Sequence, residues 1–365
     1  MEATSPPSLL APDWPVLVTG ASGFVGGHVA RALGRAGYRV RGLSRRPPAP
    51  EPGDPELEWF TGDLRSPADR VRALDGMAGV VHCAGWVSLG SDRHGEGRIV
   101  NVDCTRALLA EARAAGVERF VYTSTLWTVA AGSASAPADE STQWNLDRVR
   151  GPYCDTKREA ERLVLEADRP GFRTCALCPG LVLGSRDPQL TSTSVLLITA
   201  ATPVAILPRG GLPVVDARVL AHAHVRALER AEWGTRYVVA GPYVSYHALA
   251  REIRKLTGWP LRIVTVPDRL EGLLTWWAGW IDRLSMGVVR HAAPATVAGG
   301  FLRLHVSGAR ADRAFGLHHP PLAHSVFDAL QAARRRGRAP WLRLQPPPDY
   351  EPGHAEVCLN ASLNN

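Results

Sequence analysis

A doubly wound α/β fold on a parallel sheet is predicted for this 365-residue chain by three observations. Short apolar runs alternate strictly with segments of helical periodicity from Val16 to Leu177. A G-x-x-G-x-x-G turn joins the first run to the first periodic segment. The alternation ends at Pro179, after which the composition changes. Such alternation makes successive strands parallel and puts helices on both faces of the sheet. With 45% hydrophobic and 21% charged residues, the composition is that of an ordinary globular protein with enough chain to bury a substantial core.

Residues 16–19 form the first apolar strand, and Phe24, Val25, Val29, Ala32 and Leu33 then recur at helical spacing until Gly37. Strands follow at 39–43 and, after a Pro-rich loop, at 57–61. The next helix is opened by Ser66 as cap and Pro67 at its first position. The pattern continues with a strand at 79–83, a helix at 99–115, a strand at 119–123, a long loop, a helix at 153–167 and a strand at 173–177. Beyond Pro179, residues 190–208 are rich in Ser, Thr, Ala and aliphatics. A strand at 236–240, a helix capped by Ser245 and ended by Gly258, a strand at 261–266, a Trp-rich helix at 270–284 and a terminal helix at 321–336 complete the chain. No repeats are present, and the Pro-rich end from about Pro346 reads as a loosely attached tail.

The net charge of +7 comes from arginines scattered along the chain, apart from short clusters such as Arg334-Arg335-Arg336, so no nucleic-acid-binding stripe is formed. Residues 1–14 are Pro/Ser-rich, with neither a basic nor an apolar block, and predict no secretory or transit segment. Without such a signal, Cys83, Cys104, Cys154, Cys175, Cys178 and Cys358 are expected as reduced thiols of a cytoplasmic protein. Cys175 and Cys178 make a C-x-x-C spacing inside an apolar run with no second pair or His cluster, which reads as buried packing, and no metal site is expected. The Trp-rich helix is interrupted by Glu271, Asp282 and Arg283, and its uncharged centre is too short to span a bilayer. It reads as a buried or pocket-lining amphipathic helix in preference to a membrane-surface one.

The turn Gly20-Ala21-Ser22-Gly23-Phe24-Val25-Gly26 lies between strand and helix. There the backbone must bend sharply, approach a pyrophosphate closely and present a helix N-terminus to its charge. The domain it opens is a Rossmann-type dinucleotide-binding unit over 13–185, with a returning segment at about 214–242. A smaller C-terminal substrate-binding region takes 186–213 and 243–336, leaving 337–365 as tail. Cofactor choice is read at the end of the second strand, where Ser44, Arg45 and Arg46 stand and no carboxylate does. Two arginines suit a 2′-phosphate, so NADP(H) is expected in preference to NAD(H); the other reading is two solvated loop arginines. Asp63 ends the third strand and reads equally as an acceptor for the adenine amino group or as a turn aspartate.

Lysine occurs only at 157 and 255, every other basic side chain being arginine. Lys157 stands four residues after Tyr153 in a helical stretch, so the two share a face. A nearby ammonium, with the positive nicotinamide of an oxidised cofactor, stabilises phenolate and makes tyrosine usable as a general acid and base. A third group is needed to hold the substrate oxygen. The strand ending at Tyr122-Thr123-Ser124-Thr125 offers hydroxyls at the carboxyl edge of the sheet, Thr125 first and Ser124 second.

The glycine motif, Val81-His82-Cys83-Ala84-Gly85, Asn101-Val102, Tyr122-Thr123-Ser124-Thr125, the Tyr-x-x-x-Lys of Tyr153 and Lys157, and Cys178-Pro179-Gly180 come in an order that resembles the extended short-chain dehydrogenase/reductases, also called the epimerase/dehydratase family. The likeness covers about residues 13–335. It implies cofactor contacts at Gly20, Gly23, Phe24, Val25 and Gly26, at Arg45, Asp63 and Leu64, and at Ala84, Gly85, Lys157 and Pro179. Where that family commonly has a catalytic serine, this chain has Thr125. Residues 214–224 are similar to a segment of dihydroflavonol-reductase-like members, with Val219 in place of an aspartate, and 3-beta-hydroxysteroid-dehydrogenase-like members and hopanoid-associated sugar epimerases also look similar. The expected activity is NADP(H)-dependent interconversion of a carbonyl and a secondary alcohol on an apolar or aromatic small molecule, since residues 190–213 carry one basic side chain, Arg209. The alternatives are a nucleotide-sugar epimerase or dehydratase with tightly bound NAD, and a cofactor-binding sensor, against which the intact Tyr-x-x-x-Lys argues. A homodimer is left open.

Overall fold

The computed structural model describes residues 13–88, 92, 94–284 and 294–350. Its first half alternates β1 (Pro15–Thr19), α1 (Phe24–Arg35), β2 (Arg39–Ser44), β3 (Glu58–Thr61), α2 (Pro67–Leu74), β4 (Gly79–His82), α3 (Cys104–Ala114), β5 (Arg119–Thr123), α4 (Pro152–Glu166) and β6 (Arg173–Pro179). The second half runs β7 (Leu181–Leu183), α5 (Thr193–Ala201), β8 (Val204–Pro208), β9 (Gly211–Asp216), α6 (Ala217–Arg230), β10 (Arg236–Val239), β11 (Tyr243–Ser245), α7 (Tyr246–Thr257), β12 (Arg262–Val266), α8 (Glu271–Leu284), α9 (Pro294–Phe301), α10 (Ala309–Phe315) and α11 (Leu322–Arg335). Ser66 caps α2 by accepting from the Asp69 N–H at 3.3 Å, and Ser245 caps α7 through Ala248 at 3.1 Å, both as their sequence positions require.

Seven strands form one sheet in the order β10-β6-β5-β4-β1-β2-β3, every ladder parallel. The order reverses between β4 and β1, so the loops leaving those two strands diverge and open a crevice at their carboxyl ends. Val29 and Leu33 of α1, Leu220 and Leu228 of α6 and Phe315 of α10 cover one face; Leu74, Leu108 and Val164 of α2, α3 and α4 cover the other. Each such side chain contributes about 1.5–3 kcal/mol on burial. Cys175 and Cys178 are fully buried in separate core clusters, as packing residues.

The structure differs from the sequence reading in several places. The helix expected at 99–115 opens with a π-helical stretch, Arg98–Asp103, before α3. Strands β7, β8, β9 and β11 were not anticipated: they make a β11-β9-β7 sheet and a β12-β8 ribbon, and Pro213 inside β9 masks its strand character. α10, although within 243–336, packs on β10 and α6 of the main sheet. The Trp-rich helix is α8, and it is not buried: Leu273, Trp276, Trp277, Trp280 and Ile281 are all exposed. The Pro-rich end is held as far as Tyr350, whose ring packs 4.6 Å from that of Phe327 and whose hydroxyl donates to Asp328. Residues 351–365, with Cys358, lie outside the described residues.

Candidate active site

The crevice is lined first by backbone. Gly20 adopts φ +68°, and a Cβ there would lie 2.8 Å from the Ala84 nitrogen; a Cβ on Gly26 would lie 2.3 Å from the Gly20 carbonyl oxygen. The Gly23 N–H donates to that same oxygen at 2.8 Å. α1 then starts at Phe24 with no side-chain cap and no acidic residue in its first turn, so nothing within the helix competes for its positive end. Phe24 is buried against the core and Val25 is half-buried. A glycine cradle at an uncapped helix N-terminus fits a dinucleotide pyrophosphate.

A buried hydrogen-bond chain ties the two sides of the crevice together. Thr105 Oγ1 donates to the Asn101 carbonyl at 2.6 Å, so it accepts from His82 Nε2 at 2.9 Å, leaving His82 Nδ1 to accept from Thr19 Oγ1 at 2.6 Å. Thr19 Oγ1 in turn accepts the Ala84 N–H at 3.1 Å. His82 is therefore a neutral imidazole; burial, with the Lys157 charge adding to it, lowers its pKa to about 3.

At the outer rim, Ser44 Oγ donates to Ser22 Oγ at 2.7 Å and accepts the Arg46 N–H at 3.1 Å, fixing the turn that presents Arg45 and Arg46. Both arginines are exposed and neither makes an ion pair among the described residues. Asp63 is gripped by Arg65, with 2.8 Å from Nη2 to Oδ2, and this hydrogen bond holds its carboxyl below the usual range. Leu64 is buried, and its carbonyl accepts from Arg70 at 2.8 Å. Gly85 is exposed, and Pro179 is buried at the end of β6.

α4 brings the candidate chemical groups to this crevice. Pro152 occupies its first turn, Tyr153 is half-buried, and Lys157 one turn on is only 5% exposed. The Lys157 ammonium donates to the Thr123 carbonyl at 2.6 Å and lies 4.3 Å from the centre of the Tyr122 ring. Burial lowers its pKa to about 8, with the Glu161 carboxylate opposing. Burial raises the Tyr153 pKa, and a hydrogen bond with Thr125 pulls it back. Ser124 points elsewhere, because successive residues in extended backbone face opposite ways. Its hydroxyl donates to Glu161.

Two residues the sequence reading did not place in the site organise it. Glu161, two turns beyond Tyr153, receives Ser124, lies 2.6 Å from the Thr128 hydroxyl and 3.3 Å from the Cys178 thiol, and pairs with Arg236 at 3.2 Å. Asn101 Oδ1 accepts the Trp86 N–H at 2.7 Å, and its Nδ2 donates to Thr156 at 3.1 Å, pinning the chain after Gly85 to α4. The i, i+4, i+8 spacing of Tyr153, Lys157 and Glu161 was the available signal for the first. Asn101 belongs to the Asn101-Val102 pair of the sequence motifs, which carries no signal of its role.

The fold and the family define the class: an NAD(P)-dependent oxidoreductase. The chain matches the NAD dependent epimerase/dehydratase family over residues 16–240 and belongs to it, as an extended short-chain dehydrogenase/reductase. It is 32% identical over 266 residues to a Synechocystis sp. protein bearing a dihydroflavonol 4-reductase name, covering 71% of this chain and 77% of that one. It is 36% identical over 179 residues to a Mycobacterium tuberculosis 3 beta-hydroxysteroid dehydrogenase/Delta 5→4-isomerase, a match covering 47% of this chain and 48% of the other. The crystal structure of gox2253, at 28% identity, superposes with a TM-score of 0.73 over 89% of this chain and 99% of its own. No helix among the described residues is long and apolar enough to cross a membrane.

Proposed function

We propose that this chain is an NADP(H)-dependent oxidoreductase that interconverts a carbonyl and a secondary alcohol on an apolar or aromatic small molecule. The observation that carries the reading is the placing of Tyr153 one helical turn before buried Lys157 on α4, with the Thr125 hydroxyl close enough to the phenol to lower its pKa. Bound NADPH supplies the hydride. Gly20, Gly23 and Gly26, with the backbone of Phe24 and Val25, cradle the pyrophosphate; Arg45 and Arg46 take the 2′-phosphate, and Asp63, Leu64, Ala84, Gly85 and Pro179 flank the remainder. In reduction, Thr125 donates a hydrogen bond to the substrate oxygen and Tyr153 gives that oxygen its proton, becoming a phenolate that is reprotonated from solvent. Burial disfavours that phenolate and the Thr125 hydroxyl opposes the effect; in this reading the Lys157 ammonium, one turn along the same face of α4, supplies the rest of the offset once the phenolate forms.

An apolar substrate suits the surroundings. Leu126, directly after Thr125, shares a core cluster with Val149, Ala298 and the partly buried Trp127. Arg209, the one basic side chain in 190–213, is exposed and lies towards His247 of α7, whose pKa is lowered by burial and then by the Arg251 and Arg209 charges. The names of the two relatives likewise favour an aryl or alicyclic ketone. The free thiols Cys83, Cys104, Cys154, Cys175 and Cys178 suit a cytoplasmic setting.

The test is NADPH oxidation across a panel of flavanonols, ketosteroids and aromatic aldehydes. At least one should be reduced, with no conversion of common nucleotide sugars. Tyr153→Phe should lower turnover about 10²-fold or more while leaving the Kd for NADPH unchanged. Epimerised sugar without net cofactor oxidation, or normal turnover by the phenylalanine variant, would overturn the reading.

A further inference from the structure

The outward face of α8 is the part of the molecule whose chemistry the proposed reaction leaves without a role. A helix on the surface of a globular protein turns its apolar stripe inward. α8 does the reverse. Leu273, Leu274, Trp276, Trp277, Trp280 and Ile281 are exposed and fall within an arc of about 160° at 3.6 residues per turn. The opposite face carries Thr275 and Ala278, of which Ala278 is buried, and α8 packs on α9, where Gly279 approaches Pro294. Trp276 and Trp277 are 57% and 54% exposed. The Trp276 ring stacks edge-on with those of Trp277 and Trp280, at 5.4 and 6.0 Å between centres. The indoles meet one another and otherwise face outward, an apolar patch of the kind that marks an interaction surface.

The charges on the segments that lead into α8 identify its partner. The β12-β8 ribbon leading into α8 turns Ala205, Leu207 and Ile263 inward and Val204, Ile206, Arg262 and Val264 outward, Ile206 being 68% exposed. Across 188–213 and 243–281 the acidic residues are Glu252, Asp268 and Glu271, and each is in an ion pair, with Lys255, Arg303 and Arg148 respectively. Arg209, Arg251, Arg254, Arg262 and Arg269 are exposed and make no ion pair among the described residues. Indole is the side chain that sits at the boundary between hydrocarbon and water, and exposed arginines attract anionic headgroups. A second copy of the chain would instead bring one set of unpaired arginines towards another.

We propose that α8 docks this protein on an anionic phospholipid surface, lying in the interface with its tryptophans in the headgroup boundary. At 14 residues, the helix lies on the bilayer and does not cross it.

The purified full-length protein tests this by flotation with vesicles of phosphatidylcholine alone and of phosphatidylcholine with about 30 mol% phosphatidylserine, which makes the surface potential negative. Partition should favour the anionic vesicles and weaken as salt is raised. Acyl-brominated lipid should quench tryptophan emission of the unmodified protein. The triple variant Trp276→Ser, Trp277→Ser, Trp280→Ser should reduce partition at least tenfold with its NADPH affinity retained, and Arg262→Glu with Arg269→Glu should abolish the preference for anionic lipid. Protein that stays unbound at both compositions, with no quenching, overturns the proposal. So does a dimer that the same triple variant dissociates while vesicle binding is absent.

Discussion

Tyr153 and Lys157 share one face of α4, yet their partners differ. The phenol meets Thr125, while the ammonium rests on the Thr123 carbonyl and the Tyr122 ring. The spacing that puts them together is legible in sequence because a helix repeats every 3.6 residues. The division of labour between Ser124 and Thr125 is not, since it depends on Glu161 folding back to claim Ser124. At the rim the situation is reversed. Arg45 and Arg46 are exposed and without ion pairs among the described residues, so their use follows from the absence of a carboxylate at the end of β2. Replacing both by alanine should weaken NADPH binding roughly 100-fold or more and leave NADH binding nearly unchanged, because each well-formed bond to a charged group contributes about 1.5–3 kcal/mol. Titration of cofactor fluorescence measures both affinities. Equal losses would mean that the arginines do not read the 2′-phosphate.

The helix α4 does more than carry its first turn of candidate groups. Glu161 is buried and gathers the Ser124 and Thr128 hydroxyls from the loop after β5, the Cys178 thiol of β6 and the Arg236 guanidinium of β10, so one carboxylate locks the loop that presents Thr125. Glu161→Leu would strip Arg236 of its only ion-pair partner among the described residues and Ser124 of the carboxylate it donates to, which should destabilise the fold by about 3 kcal/mol, the size expected for breaking a buried pair from one side. Adding Arg236→Met to that variant should recover part of the loss. A urea midpoint unmoved by the single change would show the network to be dispensable. Elements of the main sheet were readable from alternation and caps, whereas β7, β8, β9 and β11 were not: they are short, or broken by Pro213, and pair outside that sheet. α8 was found at its place but on the wrong side of the surface. Apolar composition says that a helix buries something, and only the packing of its Thr275 and Ala278 face on α9 shows which side is left over.

The largest consequence for the whole molecule comes from four of the five histidines buried among the described residues. His28, His82, His222 and His224 are all buried: His28 Nε2 meets the Ser185 carbonyl, His82 bridges two threonines, and His224 lies between Thr123 and the Leu220 carbonyl. Burial lowers their pKa to about 4, 3, 4 and 4 respectively, against 6.5 when solvated. Since the folded values are depressed, the unfolded chain binds more protons between about pH 6.5 and pH 4, and stability present above 6.5 is lost as pH falls through that window. The buried Lys157 has the same sign in a different range: its value of about 8 makes stability rise with pH between about 8 and 10.5. At pH 5 each neutral histidine costs about 2 kcal/mol, so four together approach the total stability of about 5–15 kcal/mol typical of a domain. The protein should therefore unfold in mild acid, before its carboxylates are protonated. Urea unfolding at pH 7.5, 6.5, 5.5 and 5.0 should give midpoints that are level down to about 6.5 and fall steeply below it, and His82→Gln should flatten that descent. Midpoints constant from pH 7.5 to 5.0 would show that these rings gain protons inside the fold, and would undo the neutral His82 bridge that holds β1 and β4 together at the cofactor crevice.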